Sequence, residues 1–197
     1  MTRVPSIIDP GQQIEHPFDL YSRLLRDRAV FVGEEVTMSL ANSILAQLMY
    51  LESEDPSRDI LMIVNSPGGD LYGGLAIYDA MQAVKPDVRT CCIGMAASAG
   101  SLILTGGAKG KRYALPNARV MIHQPWGGMQ GKVSDVEIQA EEMLKCKRIL
   151  NEIYVKHTGK SLEQIEKDTD RDNFMQPGEA KDYGLIDEVL TSLPSVK

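Results

Sequence analysis

Short apolar runs alternate with amphipathic helical patterns along most of this chain, and the alternation limits the folds available to it. The strand predicted at residues 60–65 is apolar at every position but the last, which is typical of a strand buried on both faces of a parallel sheet. A helical pattern over 39–54 precedes it, and a helix that Asp70 would cap follows it. Further strands are predicted at 29–33, 88–93 and 118–123. The alternation predicts an α/β fold with parallel pairing.

A long helical pattern begins after Val133 and ends at Thr158 and Gly159. Ser134 and Glu137 have the spacing of a capping box at its start, and Gly commonly ends a helix. The apolar residues of this helix lie on more than one face, so the helix is either deeply buried or covered by a partner chain. At this chain length we expect a partner chain.

A single domain is expected, because no repeat, low-complexity tract or charge block divides the 197 residues. Residues 1–17 lack periodicity and are predicted to form a flexible arm. The domain is predicted to span 18–193, followed by a tail at 194–197.

The net charge and the cysteine content of the chain exclude several classes of function. A net charge of -6 argues against general binding to nucleic acid or to anionic membranes, since both need clustered basic residues. No apolar run approaches the length of a membrane span, and the first residues lack the apolar core of a secretory signal. The three cysteines lack zinc-site spacing and are expected to be buried and reduced. We therefore expect a cytoplasmic protein without a metal site.

Three residues far apart in the chain have the chemistry of a nucleophilic triad. Ser98 lies among small residues at the start of a predicted buried helix, His123 ends a predicted strand before a Gly-rich loop, and Asp172 lies in an acidic segment. A serine hydroxyl needs a base to take its proton, and that base needs an acid to hold its tautomer. The sequence therefore predicts serine-type hydrolysis.

Each member of this set also has a plainer interpretation. Ser98 alone is better explained as a small residue at a tight helix contact, whereas His123 alone is explained about equally well as a structural histidine. The acid is not resolved by the residues themselves, since Asp168, Asp170 and Asp187 compete with Asp172. The common α/β-hydrolase pattern is disfavoured, because it requires Gly two residues before the serine and the order Ser-Asp-His.

Two glycine-rich loops have different interpretations. The loop that contains Gly69 joins a buried strand to a helix, so its backbone N–H, together with that of Ala99, is a candidate oxyanion hole. The loop over 106–112 superficially resembles a phosphate-binding loop. Its first Gly is misplaced, and Arg112 occupies the position of the required Ser or Thr, so we expect no ATP site there.

Together these segments strongly resemble the ClpP family, the proteolytic subunits of the ATP-dependent Clp protease. The resemblance runs from about Tyr21 to Asp187. Its specific stretches are Asn65-Ser66-Pro67-Gly68-Gly69, Ala96-Ala97-Ser98, Met121-Ile122-His123-Gln124-Pro125 and Asp170-Arg171-Asp172.

The resemblance implies a crotonase-like fold of repeated β-β-α units, with a protruding strand and long helix at 124–158, here called the handle. In this family the handles join two heptameric rings into a barrel whose chamber holds the active sites. The resemblance assigns Asp172 to the triad, and Asp170 with Arg171 to a charged pair between rings. It also implies that peptides lie extended beside Gly69 and the segment at 127–131. The expected substrate-binding residues are Gly68, Gly127 and Gly128.

The resemblance further implies that a separate AAA+ unfoldase uses ATP and feeds unfolded polypeptides to the chamber, with no cofactor in this chain. Met95 and Ala99 depart from many relatives beside the serine, and the equivalents of the partner-docking pocket are mostly aliphatic. These departures leave open the hypothesis that the chain shares mixed rings with a second ClpP-like isoform. Two alternatives also stay open: an acyl-CoA enzyme of the same fold, and a non-catalytic ring subunit.

Overall fold

A mostly parallel sheet lies at the centre of the fold, as the alternation predicts. The structure, a computed structural model, describes residues 6–7 and 18–195. Its strands are β1 (Ser6–Ile7), β2 (Phe18–Asp19), β3 (Ala29–Val32), β4 (Ile60–Ser66), β5 (Val88–Ala97), β6 (Arg112–Ala114), β7 (Arg119–Ile122), β8 (Asn173–Met175) and β9 (Glu188–Val189). Its helices are α1 (Leu20–Arg26), α2 (Met38–Glu54), α3 (Leu71–Ala83), α4 (Ala99–Thr105), α5 (Val133–Thr158), α6 (Leu162–Asp168) and α7 (Pro177–Tyr183).

The order of the strands explains how distant segments meet. Strands β3, β4, β5, β6 and β9 pair in that order and all in parallel. Strand β7 pairs in parallel with β5, and β8 pairs antiparallel with β7. A separate antiparallel pair joins β1 to β2, and the rest of the predicted arm lies outside the described residues. The α/β fold class is confirmed.

The core forms where the helices cover this sheet. Helix α2 buries Ala41, Ile44, Leu48 and Leu51 against it, a set with the spacing of one face of a helix. Strand β4 is buried at all but two of its positions, as expected for a central parallel strand. Burial of these apolar side chains is the main stabilising term of the fold.

Strand β5 changes its neighbour halfway along, and this change positions the later site. Its first half, at Thr90–Cys92, pairs with β6, whereas Met95–Ala97 pairs with β7. Between the halves Gly94 has φ +80°, and the Asn65 side chain accepts a bond from the Met95 N–H (3.3 Å). The strand therefore runs four residues beyond the predicted end at 93, directly up to Ser98.

Helix α5 ends as predicted but begins differently. Gly159 ends it with φ +73°. The predicted capping box is not formed, because the helix starts at Val133 and its N-cap is Lys132, which makes no side-chain cap bond. Ser134 is already inside the first turn, so its hydroxyl cannot act as the N-cap acceptor. Val133, Ile138, Leu144 and Ile149 of this helix are exposed in the single chain.

The handle was expected to contain a strand before α5. Residues 123–130 form no strand in the structure. The Gln124 N–H bonds to the Thr169 carbonyl (2.6 Å). Residues 125–131 make no backbone–backbone bond to any described part of the chain. A strand needs a neighbouring backbone to pair with, and this segment has none in the single chain.

The cysteines are buried thiols, as predicted. Cys91, Cys92 and Cys146 are free. Burial raises the pKa of the Cys91 thiol to about 11 and that of Cys92 to about 12. Across residues 6–7 and 18–195, no helix has both the length and the apolar character that crossing a bilayer requires.

Candidate active site

Ser98 lies at the junction between β5 and α4, in a backbone conformation that most residues avoid. Its φ is 54° and its ψ is -123°, and it is the N-cap of α4. The Ser98 N–H donates to the Met121 carbonyl (2.9 Å), and the Ser98 carbonyl accepts from the Ser101 hydroxyl (2.8 Å). A positive φ of this kind costs about 1–3 kcal/mol and persists only where the surroundings enforce it. A strand-to-helix turn of this kind is the setting in which nucleophilic serines are held at the end of a sheet.

His123 follows β7 and faces Ser98 because β7 is the neighbour of the second half of β5. Its Nε2 lies 2.8 Å from the Ser98 Oγ, and its Nδ1 lies 2.8 Å from the Asp172 Oδ1. The β7–β8 register pairs Ile122 with Asn173, so the residues one step beyond each, His123 and Asp172, are opposite each other. The three predicted side chains are therefore adjacent.

The contacts also assign a tautomer to the histidine. The Asp172 carboxylate can only accept, so the proton lies on Nδ1 and the Nε2 lone pair accepts the Ser98 hydroxyl proton. The His123 side chain is 13% exposed and that of Asp172 is 60% exposed. In the single chain His123 is therefore mostly shielded from solvent, whereas Asp172 is mostly exposed.

The other candidate acids are engaged elsewhere. The Asp168 carboxylate accepts from Gln164 and from the Tyr183 hydroxyl (2.7 Å), and Asp187 binds Arg112 (2.7 Å). The Asp170 carboxylate contacts the Gln124 amide (3.3 Å). Among these four carboxylates, Asp172 is the one in contact with His123.

Two backbone amides beside Ser98 are available to an oxyanion. Gly68 packs so closely on the turn that an added Cβ would lie 2.6 Å from the Ala97 carbonyl oxygen. Ala99 is the first residue of α4, where amides have no intrahelical acceptor. Neither its N–H nor that of Gly69 donates to another described group. Both of the N–H groups predicted for the oxyanion hole are therefore free to donate to a ligand.

A cavity of about 600 Å³ opens beside Ser98 and His123. Its apolar side comes from one face of α5, including Met143, Cys146 and Leu150. Of the predicted substrate-binding residues, Gly68 and Gly128 line it, whereas Gly127 does not and packs near Met143 instead. Trp126 lies at the cavity and is 84% exposed. This volume lies in the range of sites that hold a whole drug-sized ligand, and the α5 face makes one side of it apolar.

Two hydrogen bonds that the sequence did not predict connect α5 to the loop that carries Asp172. The Lys147 ammonium donates to the Gln124 Oε1 (2.9 Å), and the Gln124 Nε2 donates to the Asp170 carbonyl (2.9 Å). Gln124 is next to His123, and Asp170 is two residues from Asp172. The sequence could have pointed to Gln124, because it is next to His123. It contains no signal that connects Lys147 with Gln124.

Arg171 extends into solvent beside these hydrogen bonds. Its side chain is 93% exposed, and its Nε lies 3.6 Å from the Asp170 carboxylate. An ion pair this exposed contributes little to the stability of one chain, so its charge is available to a partner.

The arrangement contains a hydroxyl nucleophile, a base, an acid and two amide donors around one cavity, which together can carry acyl transfer. Comparison with family models finds a match to the Clp protease family over residues 12–193. The match includes every residue of the site described above.

Proposed function

Because the chain belongs to the Clp protease family and is a ClpP-type serine peptidase, we propose that Ser98, His123 and Asp172 carry its peptide hydrolysis. The observation that supports this assignment is the continuous contact from Ser98 through His123 to Asp172, with both distances at 2.8 Å. The family match gives no support to acyl-CoA chemistry, which would not require this triad.

The first half of the reaction forms an acyl-enzyme. The Ser98 Oγ attacks the peptide carbonyl carbon while His123 Nε2 takes the hydroxyl proton, and Asp172 stabilises the resulting imidazolium. The negative oxygen of the tetrahedral intermediate accepts bonds from the Gly69 and Ala99 N–H groups. When the intermediate collapses, the C–N bond breaks and His123 returns the proton to the leaving amine.

The second half releases the acyl group from Ser98. Water replaces the amine, and its proton passes to His123 as its oxygen attacks the ester carbonyl. Collapse breaks the ester C–O bond and returns the proton to the Ser98 Oγ. No cofactor is needed within the chain, since every proton and electron pair is accounted for by these groups.

We place the substrate as an extended peptide between the Gly68–Gly69 loop and the stretch at 125–131. The second of these makes no backbone–backbone bond to the described chain. A peptide added as a strand would pair with its free backbone groups, while the scissile carbonyl lies at the Gly69 N–H. Gly127 and Gly128 lie within the second segment, and an apolar side chain would enter the cavity.

We also propose that the active form is a barrel of two heptameric rings, fed by a separate Clp-type AAA+ unfoldase that uses ATP. The exposed apolar residues of α5 support burial by a partner chain. Arg171 and Asp170 would pair across rings, and ring contact would reduce the exposure of the Asp172 loop. A second isoform in mixed rings is compatible with this assembly. We place the protein in the cytoplasm, where its three free thiols would stay reduced.

The catalytic assignment is tested with Ser98→Ala and a short fluorogenic peptide. We expect kcat/KM to fall about 10⁴-fold or more, with sedimentation unchanged because the hydroxyl is not part of a chain-to-chain contact in this proposal. Full activity in the variant would refute the assignment of Ser98.

The assembly is tested separately with Arg171→Ala. We expect a smaller sedimenting species and a lower peptidase rate, because the inter-ring partner of Asp170 is lost. Sedimentation and rate both equal to wild type would show that Arg171 has no such role.

A further inference from the structure

A second cavity, of about 710 Å³, lies away from the triad and is basic although the chain as a whole is acidic. Four lysines line it: Lys85, Lys109, Lys156 and Lys181. They come from four segments of the chain, namely the segment that follows α3, the 106–112 loop, the last turn of α5, and α7. The fold alone brings these charges together.

The carboxylates that line this cavity are already paired. Asp187 binds Arg112 through both of its oxygens (2.7 and 2.9 Å). Asp87 accepts from Lys111 (2.9 Å). Neither is therefore available to neutralise the four lysines, and the cavity keeps an excess of positive charge.

The lysine ammonium groups have few partners within the protein. Lys156 donates to two neutral oxygens, those of Tyr78 (3.0 Å) and Gln82 (3.3 Å). The ammonium groups of Lys85, Lys109 and Lys181 contact no acceptor in the described chain. Clustered cations without carboxylates repel one another, and an anion that bridges them removes this cost.

The backbone of the 106–112 loop does not act as a phosphate cradle. The N–H groups of Gly106, Gly107 and Ala108 donate to carbonyls of Leu102, Leu104 and Val88. This agrees with the expectation that the loop is no ATP-binding P-loop. Any anion in the cavity would be held by the lysine side chains instead.

We propose that this cavity binds a small phosphate-bearing polyanion. Ammonium groups are compact charges that meet phosphate oxygens from several directions, whereas planar carboxylates suit the guanidinium fork. The one guanidinium of the lining, Arg112, already holds the Asp187 carboxylate. The volume is that of a site for a nucleotide-sized molecule, and Met81, Val84 and Pro86 offer apolar surface to the rest of the ligand.

The experiment is isothermal titration of the full chain with inorganic tripolyphosphate at low salt. We compare Lys109→Gln/Lys181→Gln with Lys132→Gln/Lys167→Gln. The second pair removes the same charge from lysines that lie outside the cavity and also lack a described side-chain contact. We expect saturable binding, weakened about tenfold or more by the cavity variant and about twofold or less by the control.

Titrations with ADP and with pyrophosphate distinguish the source of the phosphate. Tighter binding of ADP would identify a nucleotide, and equal binding would identify the inorganic group. The proposal is overturned if wild type does not bind, if both double variants weaken binding equally, or if an Asp-rich peptide of equal charge binds more tightly. Circular dichroism of each variant checks that the fold is retained, and Lys109→Gln alone serves if the double variant unfolds.

Discussion

Replacing Gly68 by Ala adds one methyl group behind the nucleophile turn and removes none of the triad side chains. Gly68 has φ +94°, and its Cα faces the backbone of Ala97–Ala99. The substitution therefore asks whether the position of the turn, and not just the presence of Ser98, controls the rate.

The size of the effect follows from the contacts that the new Cβ would make. It would lie 2.6 Å from the Ala97 oxygen, 2.6 Å from the Ser98 Cβ and 3.0 Å from the Ala99 nitrogen, whereas ordinary contact begins at 3.4 Å. All three atoms belong to the backbone or to its first side-chain carbon, so a movement of about 0.8 Å must come from the turn itself. A displacement of about 1 Å costs about 10²-fold in rate. The left-handed φ adds roughly 1–2 kcal/mol of strain for Ala.

We therefore expect Gly68→Ala to lower kcat/KM on a fluorogenic peptide about 100-fold and to lower Tm by about 2–8 °C. Gly33→Ala is the matched control, since a Cβ there meets nothing within 4 Å and its φ is not in the left-handed range. If Gly68→Ala retains wild-type kcat/KM and Tm, the close packing of the two loops does not position the nucleophile.

Two further predictions concern groups outside the triad. Lys147→Met removes the ammonium that donates to Gln124 (2.9 Å) but keeps the apolar stem. We expect kcat to fall roughly fivefold while KM changes less, with recovery in Lys147→Arg and no effect of Lys167→Met; an unchanged kcat would mean that this hydrogen bond does not support the Asp172 loop. Burial lowers the pKa of His157 from 6.5 to about 4, so between these values the unfolded chain binds more protons. Its contribution to stability is complete above about pH 6.5 and is lost as pH falls toward 4. Urea unfolding at several pH values should show a shallower acid decline in His157→Gln, and parallel curves would contradict this assignment.

Local signals predicted most of the elements because each depends on residues close together in the chain. The stop at Gly159 and the N-cap at Asp70 both agree with the structure. The Ser134–Glu137 pair was misleading, because the spacing of a capping box does not show which residue begins the helix. The end of β5 was also set too early, because its last residues depend on β7 as a neighbour.

The sequence by itself determined the α/β class, the buried central strands, and a short list of chemically capable residues that includes Ser98 and His123. Residue type and position alone left four aspartates in competition, and only the family resemblance singled out Asp172. The tertiary structure supplies the physical reason through the β7–β8 register, which places Asp172 opposite His123. The same is true of Lys147 and of the lysine-lined cavity, which join segments far apart in the chain. Such contacts depend on how strands pair and helices pack over long distances, and no local pattern of residues encodes them individually.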